Sequence, residues 1–235
     1  MLVTEESFVR GLRLLARRDP DLAKIITDWG PPPIWARPPG FPTLLLIILE
    51  QQVSLASARA AFTRLRATIG LVTPRRFLAL DDAALKGVGF SRQKTAYARH
   101  LASAIVGRRF RPAALEGLSD AKARAALIRL KGIGPWSADI YLLMALRRPD
   151  VWPKGDLALA VAAQGVKRLA SRPTPDELDD LAASWRPWRA VAARLLWHHY
   201  LSSRAIGQRR RADVARQLGV SPPGIAKAVA RAETQ

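Results

Sequence analysis

Leu130-Lys131-Gly132-Ile133-Gly134-Pro135-Trp136 repeats, with few changes, the earlier stretch Leu85-Lys86-Gly87-Val88-Gly89-Phe90-Ser91. Each copy lies between two segments with apolar residues at helical spacing. The glycines permit a tight turn with φ > 0. Val88 or Ile133 plugs the turn between its helices, and the N–H groups that start the next helix then point outward as an anion site. This pattern reads as a helix-hairpin-helix in two copies. Lys131, Gly132, Ile133 and Gly134 of the second copy are the expected contacts to a phosphate backbone, gripped without reading sequence. Two ordinary helix–helix corners with short glycine turns are the alternative.

On both sides of the repeat the pattern stays helical. Period-two runs of β-branched residues are absent, so the expected fold is all-α. Helices are expected over Phe8–Leu15 and Asp21–Trp29. Pro31, Pro32, Pro33, Pro38, Pro39, Gly40 and Pro42 then form a stiff linker. Thr43 to Leu55 predicts a strongly apolar, buried helix, continued by an amphipathic one over Ala56–Ile69 that ends at Gly70. Helix starts are marked by Thr73-Pro74, by Ser119-Asp120 and by Thr174-Pro175-Asp176-Glu177, the last with a capping-box Glu.

A length of 235 residues suits one large domain or two small lobes, and 49% hydrophobic residues suffice for a sizeable core. Lys plus Arg number 38 against 19 Asp plus Glu, a net charge of +19. Such a balance points to a polyanionic partner, most often nucleic acid. Thirty of the basic residues are Arg, which forks onto phosphate and stacks on bases. A solvated basic surface is the alternative. The absence of Cys excludes a disulfide scaffold, a thiolate zinc site, an iron–sulfur cluster and a cysteine nucleophile. Three His leave little room for a His-based site, so no metal held by side chains is expected. The apolar run Phe41 to Leu49 is too short to cross a bilayer. Thr4, Glu5 and Glu6 stand where a signal peptide would have a basic region, so the expected compartment is cytoplasmic.

After the second copy, Asp150-Val151-Trp152-Pro153-Lys154-Gly155-Asp156 leads into an apolar helix from Leu157. Asp156 reads first as an N-cap. A capping Asp that faces a cleft is also an oriented carboxylate, so structural and chemical roles are compatible. Asp139, on the helix after the hairpin, reads as a helix residue and not as a base.

These motifs, with Leu49-Glu50-Gln51-Gln52-Val53-Ser54 and with Trp185-Arg186-Pro187-Trp188-Arg189-Ala190 running into Leu196-Trp197-His198, resemble those of a known family. It is the helix-hairpin-helix base-excision DNA glycosylases, specifically the AlkA-like 3-methyladenine DNA glycosylase II group, and the resemblance runs over roughly Phe8 to Tyr200. It implies two all-α lobes around a cleft, lobe one being residues 1–43 plus 150–205 and lobe two residues 44–149. The target base would be flipped out of duplex DNA into the cleft. Asp156 matches the catalytic carboxylate, which stabilises the cationic sugar and orients or deprotonates water. Trp136 stands where lyase branches carry a Lys, which implies a monofunctional enzyme that leaves an abasic site.

Trp136 and Trp197 match aromatic walls of the base pocket, where a cationic base such as 3-methyladenine or 7-methylguanine would gain about 0.5–2 kcal/mol from cation–π contact. Core packing is the other reading of Trp197. Ile140 and Leu157 occupy pocket positions that are aromatic in some members. Gln52 matches the wedge that fills the gap left by the flipped base. The resemblance implies double-stranded DNA containing damaged bases as the partner and no cofactor beyond a monovalent cation on the backbone of the second hairpin; a monomer suffices for a single flipped base, and no membrane partner is expected. Two alternatives stay open: a non-catalytic DNA-binding protein, and a glycosylase for deaminated or oxidised bases.

Residues 206–235 fall outside the resemblance. From Arg204 onward the chain carries six Arg and one Lys against Asp213 and Glu233. Leu218-Gly219-Val220-Ser221 before Pro222 suggests the turn of a helix-turn-helix that adds a second DNA contact. A helical hairpin that packs on the body or is partly disordered is the alternative.

Overall fold

The computed structural model describes the backbone of residues 2–217, and the side chains of residues 2–207. Twelve α-helices follow one another among the described residues, with no strand. They are α1 (Glu5–Arg18), α2 (Pro20–Trp29), α3 (Phe41–Glu50), α4 (Leu55–Ile69), α5 (Pro74–Leu78), α6 (Asp82–Gly87), α7 (Arg92–Val106), α8 (Asp120–Ile128), α9 (Pro135–Met144), α10 (Leu157–Val166), α11 (Pro175–Ala183) and α12 (Arg189–Gln217). A 3-10 turn at Pro112–Leu115 precedes α8.

The starts expected from capping chemistry are where the helices begin. Thr73, Ser119 and Thr174 each accept a backbone N–H in the first turn that follows, and Thr174 and Glu177 form the reciprocal box. The apolar stretch from Thr43 behaves differently. It was expected to stay helical to Leu55, yet α3 ends at Glu50 and the chain turns through Gln51, Gln52 and Val53. Two local interactions stop it. Ser54 caps α4 by accepting from the Ser57 amide, and Gln52 adopts φ +56°, which no helix interior holds. At the other end, Pro42 lies within the first turn of α3 and not in the linker, because an N-terminal turn has no need of the N–H that proline lacks.

Helix α3 is buried nearly all round. Leu44, Leu45, Ile47 and Ile48 are each 0% exposed, and each contributes about 1.5–3 kcal/mol of apolar burial. It packs against α4, α7 and α9, with α5 and α6 on α7 and α8 on α9. The other helices form a second group, in which α12 packs on α1, α2, α10 and α11. The halves are joined by buried polar contacts. Arg194 of α12, fully buried, donates to the carbonyls of Ile34 in the linker and Leu143 at the end of α9. Burial pushes its guanidinium down to about 10. Within the second group, half-buried Arg189 at the start of α12 forks onto Asp150 in the segment between α9 and α10. Asp19 caps α2 and also accepts from Trp185 and Lys167, which ties α2 to the far side of its own group.

Helix α12 runs without a break through residue 206 to Gln217. The turn expected at Leu218–Pro222 lies outside the described residues.

Candidate active site

The two glycine repeats fold differently. In the second copy Gly132 takes φ +88°, and the Tyr97 ring occupies the space that a Cβ would fill. Gly134 is extended at φ −88° and precedes α9 without a side-chain cap, while Pro135 has no N–H. The turn and the first turn of α9 are therefore left with backbone donors for an anion. In the first copy Gly87 is still helical, Gly89 takes the positive φ of +103°, and the Ser91 hydroxyl accepts from the Lys94 amide at the start of α7. The expectation of two equivalent anion turns is therefore corrected: only the second copy has an uncapped helix start. The two helices start at different places: α9 begins directly after Gly134, which has no side chain to cap it, whereas α7 begins after Ser91, two residues beyond Gly89.

Asp156 is the N-cap of α10 and is 7% exposed. Its Oδ1 accepts from the Leu159 amide at 2.9 Å and from Trp197 Nε1 at 3.2 Å, and its Oδ2 accepts from Trp136 Nε1 at 2.8 Å. A carboxylate offers about four acceptor sites. Three are used, which leaves one on Oδ2 for a water or a substrate atom. Three helices meet here: α9 carries Trp136, α10 carries Asp156 and α12 carries Trp197. The two indoles were expected as walls of a pocket, but their role as N–H donors to the carboxylate was not legible in the sequence. Trp136 is half-buried, and Trp197 is buried beside Leu195 and Leu196. Leu157, the next residue after Asp156, is 60% exposed, whereas Ile140, one turn along α9 from Trp136, is buried in the core.

Gln52 sits exposed at the break between α3 and α4. Its neighbour Gln51, which sequence reading passed over, donates from Nε2 to the Gly132 carbonyl at 2.8 Å and to Ser137 Oγ at 2.9 Å. The residue next to Gln52 is thus bonded directly to the hairpin. Lys131 and Gly134 are on the hairpin surface, while Ile133 is buried as the plug.

Asp139 is 1% exposed and ion-paired to Arg124 of α8. Burial pushes its carboxyl up to about 6, with Arg124 and a hydrogen bond from the Lys154 amide opposing. It therefore supports both the hairpin helices and the loop that leads to Asp156. Because the folded pKa is raised, the stability this group contributes is complete below the ordinary Asp value of 3.8 and is lost as pH rises through about 6. Asp139→Asn stays neutral and is expected to lack this dependence. Urea unfolding should show wild type losing about 2–3 kcal/mol relative to the variant between about pH 4 and pH 7. Parallel pH curves for the two proteins would contradict the assignment.

The HhH-GPD superfamily of base excision DNA repair proteins matches residues 45–187, from α3 through the hairpin and Asp156 to the entrance of α12. The chain belongs to this superfamily. Within it, the alkylbase DNA glycosidase-like protein mag2 of Schizosaccharomyces pombe is 28% identical over 126 residues, 53% of this chain and 59% of the relative. This member of the HhH-GPD superfamily thus spans less than two thirds of that relative's length. The crystal structure of a DNA-3-methyladenine glycosidase from Bacillus halodurans superposes with a TM-score of 0.67 at 28% identity, covering 81% of this chain and 88% of that one. A 3-methyladenine DNA glycosylase of Schizosaccharomyces pombe in complex with abasic DNA gives a TM-score of 0.70 at 26% identity, covering 77% and 89%. Among the described residues no helix is long and apolar enough to cross a membrane, and no cluster of His, Asp or Glu could hold a metal.

Proposed function

We propose that the chain is a monofunctional DNA glycosylase that hydrolyses the N-glycosidic bond of flipped-out alkylated bases and leaves an abasic site. The observation that carries this reading is the Asp156 carboxylate, fixed by three N–H donors with one acceptor site free on Oδ2. Capping α10 needs only the contact with the Leu159 amide, and the two indole N–H groups orient the carboxylate beyond that need.

The mechanism follows from the geometry. As the glycosidic bond breaks, its electron pair leaves with the base nitrogen and positive charge develops on the sugar. The Asp156 carboxylate stabilises that charge in a site shielded from bulk water. A water held on the free Oδ2 site adds to the sugar carbon and gives up its proton to the carboxylate. A cationic base such as 3-methyladenine departs neutral, so no general acid is required. Trp136 has no amine with which to form a Schiff base, which supports hydrolysis without strand cleavage and disfavours lyase-type action on oxidised bases.

The second hairpin would hold a DNA phosphate through its backbone N–H groups, and Lys131 would add charge. A monovalent cation at this turn would have to bind backbone carbonyls. Those of Leu130 and Gly132 each already accept one hydrogen bond, from the Ile133 amide and from Gln51, and each retains one lone pair. Such an ion would supply positive charge toward a phosphate. A single flipped base needs only one copy of the chain, and binding as a monomer is the corresponding proposal.

The deciding experiment is release of 3-methyladenine and 7-methylguanine from methylated DNA. The wild-type chain is expected to release both without cutting the strand, and no release would remove the reading. Trp136→Phe keeps a ring but loses the 2.8 Å bond to Oδ2. It is expected to lower single-turnover release about tenfold, the loss of one charge-assisted hydrogen bond. An unchanged rate would show that the indole N–H does not orient the carboxylate.

A further inference from the structure

The first copy of the glycine repeat takes no part in the chemistry above. Its helix α7 has its start capped by Ser91, yet it directs two side chains inward. Lys94 Nζ donates at 2.6 Å to the Leu49 carbonyl in the last turn of α3. Burial alone lowers its pKa, and no carboxylate acts on it. Tyr97, one turn further on, lies against Gly132 so closely that no Cβ fits there.

The residues leading to Gln52 are therefore fastened one by one, each to a different element. Leu49 is held by Lys94 of α7. Glu50, buried, is gripped by both guanidinium nitrogens of Arg37 from the proline-rich linker, each at 2.8 Å. Gln51 is bonded to Gly132 and Ser137 of the hairpin. Gln52 then protrudes with φ +56°, flanked by Val53 and Leu55 at 46% and 45% exposure. A left-handed backbone at a non-glycine residue carries a cost that its surroundings offset, and Gln52 shares this conformation with Trp35, Arg108, Arg147 and Arg168. Ordering three consecutive residues costs entropy that these separate contacts offset, and the result is a fixed position for the residue that follows.

We infer that α7, the helix of the first repeat, is a brace that fixes Gln52 at a set distance from the phosphate-gripping hairpin, with Lys94 and Tyr97 as its positioning residues. This rests on the reading in which Gln52 enters the gap left by an extruded base, and it makes no use of the chemistry at Asp156. Lys94 holds the turn that carries Gln52, and Tyr97 holds the hairpin turn, both from one face of one helix. Gripping the phosphate and filling the gap thereby become a single rigid-body event.

A double-mutant cycle on binding tests the brace, with a duplex containing a tetrahydrofuran abasic-site mimic compared with the intact duplex. Lys94→Met is expected to weaken binding to the mimic about five- to tenfold, within the range of couplings between contacting groups, while intact duplex changes less than about twofold. Lys94→Arg should restore most of the loss. In a Gln52→Ala background Lys94→Met should add less than about a twofold effect, because the group it positions is gone. Urea unfolding accompanies each variant, and Lys94→Gln, too short to reach the Leu49 carbonyl, replaces Lys94→Met if the latter does not fold.

Equal losses on both duplexes, or a full-sized loss in the Gln52→Ala background, would overturn the brace. An unchanged affinity of Gln52→Ala itself for the mimic would remove the inserted-residue reading and the brace with it. Base release by wild type, measured separately, shows whether the catalytic proposal stands irrespective of either result.

Discussion

Asp156→Asn is expected to lower the rate of 3-methyladenine release from methylated DNA by about 10²–10³ or more, the scale of losing one preorganised electrostatic contact in a shielded site. Asn caps a helix as well as Asp does, so the start of α10 and the fold should survive. What disappears is the carboxylate's negative charge, which in the proposed mechanism stabilises the cationic sugar. The amide has one acceptor oxygen for the three donors that now converge on the carboxylate, from Leu159, Trp197 and Trp136. Its NH2 group must face at least one of them, so one indole is expected to shift. Affinity for a duplex carrying an abasic-site mimic is the control, because it reads gap filling and phosphate grip without bond cleavage. Release at the wild-type rate by the variant would end the assignment of Asp156. Loss of both release and mimic binding would point to a collapsed site instead.

Gly132→Ala is expected to have the largest effect of any single methyl addition. The residue needs φ +88°, and the added Cβ would overlap the Tyr97 ring at its base rather than at a flexible tip. Backbone strain and overpacking each cost about 1–3 kcal/mol, and here they act together at the turn that presents the anion site. Urea unfolding should therefore show a loss of about 2–5 kcal/mol, and binding to intact duplex should fall at least about tenfold. Gly134→Ala is the contrast. Its φ is −88° and nothing lies within 4 Å of the position of a Cβ, so stability should hardly change. Similar losses for the two variants would mean that the turn is read wrongly. Adding Tyr97→Ala to Gly132→Ala should recover the steric part of the loss and leave the strained φ, a partial rescue that a general weakening of α8 and α9 would not show.

How far the site could be read in advance depended on the range of the interactions that make it. The start of α10 at Asp156 and the starts after Thr73, Ser119 and Thr174 come from a side chain bonding to an amide two or three residues on, and short spacing in sequence carries that information. The end of α3 was missed because its apolar pattern runs on past Glu50. The only local signal was Ser54 as a cap, since the left-handed backbone of Gln52 is set by its surroundings. Gln51 escaped notice because its partners, Gly132 and Ser137, lie far along the chain.

The helical class, the glycine-bearing hairpin, the basic charge and the oriented Asp156 were determined by the sequence alone, since caps, periodicity and charge are local or additive properties. Only the tertiary structure decided that the two glycine repeats differ, that both indoles donate to one carboxylate, and that Leu49, Glu50 and Gln51 are held from three directions. Each of these depends on which distant groups packing brings within hydrogen-bond reach. That is settled by the burial of α3 and by the fit of Tyr97 over Gly132, not by any one stretch of residues.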